Sequence, residues 1–170
     1  SLIALSIKFT ISPSKFKTDS SLNNLLLESL INSLIFGTIF NEFFNAIQQT
    51  GDGGYIVTGS TDSWGAGMDD ACLVKINSGG DTLWTRTYGG INYDNGISVQ
   101  QTTDKGYIIS GYTTNATTGR DIFLIKTDSV GDTLWTKTIG GPLTDESFSV
   151  KQTLDGGYIL TGNTYSFGAG

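Results

Sequence analysis

QQTGDGGYIVTGST (Gln48–Thr61), QQTTDKGYIISGYT (Gln100–Thr113) and KQTLDGGYILTGNT (Lys151–Thr164) are three renderings of one phrase. Tyr55, Tyr107 and Tyr158 hold the same place in it, at spacings of 52 and 51 residues. A second phrase repeats at the same interval: GGDTLWTRTYGG (Gly79–Gly90) against VGDTLWTKTIGG (Val130–Gly141). Self-similarity at a fixed period of this size is the signature of a repeat architecture.

The unit reads as four short strands. ISVQQT (97–102) is followed by the turn TDKG and YIISGYT (107–113). A polar loop, TNATTGR (114–120), leads to DIFLIKT (121–127), and the turn DSVGD leads to TLWTKTIGG (133–141). Asp- and Gly-bearing turns between β-branched and aromatic runs predict antiparallel hairpins. In TLWTKTI, Leu134, Thr136 and Thr138 fall on one side and Trp135, Lys137 and Ile139 on the other. IFLIK is apolar on both sides, as in a strand covered on both faces. Four strands in about fifty residues predict a propeller blade, and the fold class expected is an all-β, propeller-like array of four-stranded antiparallel blades. Tyr55, Tyr107, Tyr158, Trp84 and Trp135 recur once per repeat, which predicts packing between blades. Asp94 and Asp145 follow the Gly89-Gly90 and Gly140-Gly141 pairs at equal distance, so each is expected to accept backbone N–H bonds in the turn between blades.

Composition agrees with this class. Apolar residues make up 38% and charged residues 15%, a balance able to build a core. Twenty-three glycines and two prolines suit short strands with tight turns. The net charge of −6 argues against nucleic acid as a partner, because phosphates are held by clustered cations. No basic run exists to dock on an anionic membrane, and the apolar stretch Leu25–Phe36, interrupted by Glu28, Asn32 and Ser33, is too short and too polar to span a bilayer. Histidine is absent, which removes the usual general base and the commonest zinc ligand. Cys72 is the one cysteine, so no internal disulfide forms. It sits in the strand-like run ACLVKIN and reads as a small buried hydrophobe.

The phrase GG-x3-D-x3-SV-x-QT-x-D-x-GYI-x2-G, followed by D-x2-LIK-x-D-x2-GDTLW, resembles the repeats of bacterial and archaeal secreted or cell-surface β-propellers described as kelch-like or delta-60-type. Its copies here are Gly89–Gly111 with Asp121–Trp135, and the likeness covers about residues 36–170. The resemblance implies a propeller scaffold in a secreted or surface protein and names no reaction. Asn77, Gly80 and Trp84, with Asp128, Gly131 and Trp135, also look like the tryptophan-docking motif of quinoprotein propellers. That motif has one more residue before the Gly and an Ala ahead of the Asp, both missing here, so the likeness extends to packing and not to chemistry.

The domain organisation expected is an N-terminal segment over 1–35 and repeats over about 36–88, 89–139 and 140–170. Residues 3–12 alternate Ile7, Phe9 and Ile11 with Ser6, Lys8 and Thr10, as an outer strand would. Leu22, Leu26, Leu30 and Leu34, with Leu27, Ile31, Ile35, Ile39 and Phe43, form two apolar rows beside a polar strip of Asn24, Glu28 and Asn32. That pattern predicts a helix over 21–35, with strand from about 44. About 3.3 units fit in 170 residues, and the last ends in SFGAG (166–170), matching SWGAG (63–67). Closed propellers use roughly four to eight blades. Three expectations follow: a piece of a larger propeller, N-terminal strands completing the last blade, or several chains assembled through open blade faces.

Functional expectations rest on the loops. TDSWGAGMDDA differs from TTNATTGRD in the same place, and variable loops on a regular scaffold are where recognition resides. Trp64 and its counterpart Phe167 are the candidates for stacking on a sugar ring or a protein side chain. The leading expectation is a non-catalytic binding or scaffold module with a protein or glycan partner. The alternative is a self-assembling structural subunit. The third reading, a glycoside- or quinone-type propeller enzyme, needs unique carboxylates, and Asp62, Asp69, Asp70 and Glu146 are the non-repeated acids. Asp69 and Asp70 are also the only calcium candidates; no other cofactor is expected. Asn115-Ala116-Thr117 is a glycosylation sequon in the polar loop.

Overall fold

The structure, a computed structural model, describes residues 42–115 and 119–167. These residues form ten antiparallel strands and, among them, no helix. β1 (Glu42–Gln49), β2 (Tyr55–Thr61), β3 (Asp70–Ile76) and β4 (Thr82–Tyr88) make the first sheet, in that order. β5 (Asp94–Gln101), β6 (Tyr107–Asn115), β7 (Gly119–Thr127) and β8 (Thr133–Ile139) make the second. β9 (Asp145–Gln152) and β10 (Tyr158–Thr164) pair as a two-stranded third. The all-β class expected from the repeat is therefore what the described residues have. The helix expected over 21–35, the strand over 3–12 and the start of the repeat at 36 lie outside the described residues. One expectation is corrected. Residues 114, 115, 119 and 120 belong to the strands and not to an open polar loop: β6 and β7 run on past Thr113, pairing Thr114 with Arg120 and Asn115 with Gly119. Thr114 and Arg120 have the β-compatible side chains to continue a ladder already in register.

The sheets stack face to face. Ile56, Ala71, Leu73 and Tyr88 of the first sheet close on Val99, Tyr107, Ile109 and Ile125 of the second. Ile108 and Leu124, on the reverse face of the second sheet, close on Val150 of the third. Burying each such aliphatic side chain contributes about 1.5–3 kcal/mol. β3 is buried at every position, because it lies inside its sheet and is covered on both faces. The recurring aromatics mark the junctions. Trp84 meets Tyr107 edge to face at 5.9 Å and 63°, and Trp135 meets Tyr158 at 5.8 Å and 63°.

Amides of the QQ pair staple one sheet to the next. The Gln48 side-chain oxygen accepts the Gln101 backbone N–H at 2.6 Å, and in return Gln101 Oε1 accepts Gly51 N–H at 2.8 Å. At the next junction Gln100 Oε1 accepts Gln152 N–H at 2.7 Å, and Gln152 Oε1 accepts Thr103 N–H at 2.9 Å. β1, β5 and β9 are edge strands with unpaired backbone donors. The glutamines satisfy the last donor of β5 and of β9 and one donor in each of the turns that follow β1 and β5.

The T-x-D-x-G segment forms the same turn three times. In each, the threonine hydroxyl donates to the aspartate, which also accepts the glycine N–H: Thr50–Asp52–Gly54, Thr102–Asp104–Gly106 and Thr153–Asp155–Gly157. Two of the turns carry a buried lysine. Lys75 Nζ lies 2.9 Å from Asp52 Oδ2, and Lys126 Nζ 2.9 Å from Asp104 Oδ2. Each ammonium also donates to backbone, to Ile76 O at 3.2 Å and to Thr127 O at 2.8 Å, so the burial of its charge is compensated. A Cβ on Gly54 or Gly106 would stand 2.6 Å from that ammonium. The Thr50 hydroxyl and then Lys75 hold the Asp52 carboxyl far below the usual carboxylate range. Asp104 is held at about 2, first by the Thr102 hydroxyl and, against the opposing effect of burial, by Lys126.

The last glycine of the phrase faces a bulge. Asn45 and Ile97 are left over in the β1–β2 and β5–β6 registers, and Phe148 in β9–β10. Gly59, Gly111 and Gly162 stand opposite, where a Cβ would lie 1.8 Å from Phe43 O, 1.8 Å from Asn95 O and 1.9 Å from Glu146 O. Gly111→Ala is expected to cost about 3 kcal/mol and lower Tm by roughly 6–12 °C. Gly90→Ala, where an added Cβ meets open space, should leave Tm nearly unchanged. Thermal unfolding of the two variants checks the assignment.

Candidate functional site

Antiparallel pairing divides the stacked sheets into two ends. The T-x-D-x-G turns and the β3–β4 and β7–β8 turns occupy one. The β2–β3 loop (62–69), the β4–β5 and β8–β9 connections (89–93 and 140–144) and residues 165–167 occupy the other. The second end gathers the sequence's candidate residues.

Asp70, the first residue of β3, is buried and turned into this end. Its Oδ2 accepts the N–H groups of Ala66 at 2.8 Å and Gly67 at 3.2 Å, which folds the loop back on the strand. Gly65 makes the bend at φ 123°, where a Cβ would lie 1.8 Å from the same oxygen. Asp94 opens β5. Its Oδ2 accepts Gly90 N–H at 2.9 Å and its own N–H donates to Asp69 O at 2.7 Å. Asp145 does the same for the third sheet, accepting Gly141 N–H at 3.1 Å. Ser166 sits 2.6 Å from Asp145 Oδ2, and its counterpart Ser63 bonds the Glu42 carboxylate.

Asp94 comes together with Asp70 rather than Asp69 with Asp70. Asp94 Oδ2 and Asp70 Oδ1 lie 2.4 and 2.5 Å from the point that a Gly89 Cβ would fill, so only glycine fits between them. At the next junction, Asp121 Oδ1 lies 1.9 Å from the equivalent point on Gly140. Burial, and secondarily the Asp70 charge, raise the Asp94 pKa against hydrogen bonds from Thr113 and Gly90. Burial raises Asp69 too, with the Asp62 and Asp70 charges adding to it. For Asp145 burial is the largest influence and acts upward, but hydrogen bonds from Ser166, Thr164 and Gly141 together hold the carboxyl below its usual value.

These carboxylates serve chiefly as acceptors for backbone and hydroxyl donors, a role that orders loops. Among the described residues no group of three or more His, Cys, Asp or Glu is arranged to hold a metal ion. Burial pushes the Cys72 thiol up to about 12, so it is not a nucleophile at neutral pH. Glu146 pairs with Arg120, whose guanidinium lies 4.2 Å from the Tyr112 ring centroid.

The two candidate aromatics part company. Trp64 is half-buried and packs on Phe44, Val57, Cys72, Val74 and Ile76. Phe167 is 58% exposed, over the Gly140–Gly141 turn. Around it this end displays Met68, Ile91, Tyr93, Leu143 and Tyr165, all exposed, Ile91 to 80%. Sequence reasoning passed over Ile91, Tyr93, Leu143 and Tyr165. The one signal that could have found them is an apolar residue standing where the phrase requires only a turn.

No family model matches the chain, and no curated protein matches it.

The raised pKa of Asp94 has a definite sign. Its folded value lies above the unfolded one, so its contribution to stability is present at acid pH and is lost as pH rises through the folded pKa. Asp94→Asn removes the buried charge and keeps an acceptor. It is expected to raise Tm relative to the parent at pH 7 and to leave the difference near zero at pH 3. A Tm at pH 7 below that of the parent contradicts this.

Proposed function

We propose that this chain is a non-catalytic repeat module of the β-propeller type, kelch-like in its repeat, that serves a secreted or cell-surface protein as a binding or scaffold unit. The observation that carries the reading is the loop end. The end opposite the T-x-D-x-G turns presents a set of exposed apolar and aromatic side chains from three connections and the segment after β10: Met68, Ile91, Tyr93, Leu143, Tyr165 and Phe167. Exposed apolar side chains gathered on a rigid scaffold suit a protein or glycan partner. The acids nearby are occupied in holding loops, which favours binding over hydrolysis. The test is a panel of oligosaccharides and extracellular proteins presented to the immobilised full chain. Binding is expected to weaken by about tenfold or more for Ile91→Ser with Phe167→Ala. Leu154→Ser, at the far end, should leave it intact. Binding indifferent to the first pair removes the loop end from the reading.

A second reading, a subunit that assembles through its sheets, draws on one specific observation. Ile108 is fully buried between the second and third sheets, whereas its counterpart Ile159 is exposed on the far face of the third, as is Phe148. Such a face seeks a cover. Light scattering should then show mass rising with concentration, and Ile159→Lys should return the chain to monomer. A monomer at every concentration sets this reading aside.

A further inference from the structure

The third sheet repeats the aspartate turn of the first two without the lysine that rests on it. β2 and β6 each lie between two strands, whereas β10 pairs with β9 on one side and, among the described residues, with no strand on the other. β2 is buried at six of its seven positions, and β10 is exposed at five of seven. Thr153, Asp155 and Gly157 make the same hydrogen bonds as Thr50, Asp52 and Gly54. Lys75 and Lys126 pair with Asp52 and Asp104, but Asp155 has no ion pair among the described residues. The glycine of the turn points the same way. A Cβ on Gly54 would stand 2.3 Å from Ile76 O and 2.6 Å from Lys75 Nζ, and one on Gly106 would stand 2.2 Å from Thr127 O and 2.6 Å from Lys126 Nζ. The third strand thus requires bare backbone at both places. On Gly157 the same atom meets nothing closer than Thr153 Oγ1 at 3.0 Å, and this residue is not among the glycines with positive φ. Glycine stands there ready for a strand that β9 and β10 do not supply.

We propose that the open edge of β10 is a docking site for an extended segment of a partner protein that carries a lysine among apolar residues. The segment adds as an antiparallel third strand. Its ammonium rests on Asp155 beside the Thr153 hydroxyl, as Lys75 rests on Asp52 beside Thr50. The complete sheets set the register. Lys75 stands opposite Ile56 and Lys126 opposite Ile108, so the docked lysine stands opposite Ile159. Val74 and Ile125, opposite Val57 and Ile109, place a β-branched apolar residue opposite Leu160. Asp70 and Asp121, opposite Thr61 and Thr113, place an acid opposite Thr164. The Thr153 hydroxyl and then the Gly157 N–H hold the Asp155 carboxyl below its usual range, so the turn is anionic at neutral pH. A second copy of β10, YILTGNT, has no lysine and would leave that charge unmet, so charge selects a different strand. Backbone bonds along β10 supply the affinity, and the lysine supplies the choice of segment. The inference does not rest on any partner at the loop end.

The probe is a synthetic peptide with the sequence of residues 119–128, GRDIFLIKTD, added to the full chain. Fluorescence anisotropy of the labelled peptide is expected to show saturable binding, with hydrogen exchange slowed at the amides of residues 158–164. A peptide with norleucine in place of its lysine should bind about tenfold or more weakly. Asp155→Asn should cause the same loss for the lysine peptide and make no further difference to the norleucine peptide, as groups that act together do. Gly157→Ala should weaken the lysine peptide by about tenfold or more, yet lower the Tm of the free chain far less than Gly106→Ala does. No saturable binding overturns the proposal, as do equal affinities for the two peptides, or slowed exchange confined to strands other than β10. Should the amides of β10 be protected in the dilute chain without peptide, a strand of the same chain holds the edge and the proposal fails. Protection that rises with chain concentration in the absence of peptide assigns the edge to a second copy and overturns it as well.

Discussion

Adjacent sheets in this chain are held in register by paired glutamine amides, and much else follows from that constraint. An edge strand carries backbone donors that must be met, and stacking faces alone do not meet them. Gln48 and Gln100 each accept an N–H at the end of the neighbouring sheet's edge strand, and Gln101 and Gln152 accept one in return from the turn that follows the preceding edge strand. A reciprocal bond of this kind has one geometry. It aligns equivalent residues of consecutive sheets, so Trp84 meets Tyr107 in the same edge-to-face pose as Trp135 meets Tyr158. Lys151 stands in the third phrase where Gln48 and Gln100 stand in the first two, and an ammonium cannot accept an N–H.

Below that long-range constraint sit two local ones. The aspartate turn closes each hairpin from within, and in the first two sheets a buried lysine from the third strand ties that strand to the turn. The bulge opposite Gly59, Gly111 and Gly162 brings two backbones closer than any side chain allows. Threonine, aspartate and glycine recur in the phrase because hydroxyl donor, carboxylate acceptor and bare backbone are each required at their place. The repeat is thus a set of geometric demands met by the few residue types able to meet them, and those demands concern folding, not chemistry. Variation is left to the loop end, where residues 62–69 and 89–93 hold exposed side chains that the scaffold does not need.

The acids illustrate how a structural job can resemble a functional one. Asp70 and Asp94 approach each other around Gly89 in a buried setting, which is how paired catalytic carboxylates are often arranged. Here Asp70 Oδ2 and Asp94 Oδ2 already take backbone N–H groups. Their common neighbourhood is what lets the β2–β3 loop of one sheet rest on the turn that leads to the next.

Strand positions, the all-β class and the once-per-repeat aromatics were legible in the sequence, because they depend on short-range alternation and on a period that any window can detect. The turn and bulge glycines were visible as recurrences, though not with their reasons. The pairing of Thr114 with Arg120 was misread as a loop, since a polar run carries no alternation signal once its partner strand is out of view. The role of the QQ pair, the meeting of Asp70 with Asp94 and the inward turn of Trp64 could not be read at all. Each joins residues that are far apart in the chain or on different elements, and the match that makes it work exists only once two strands lie side by side. The sequence by itself determined that the chain folds as repeated antiparallel hairpins. The tertiary structure alone decided which faces close, which acids meet and which side chains remain exposed, because those outcomes depend on distances between elements and not on the order of residues within them.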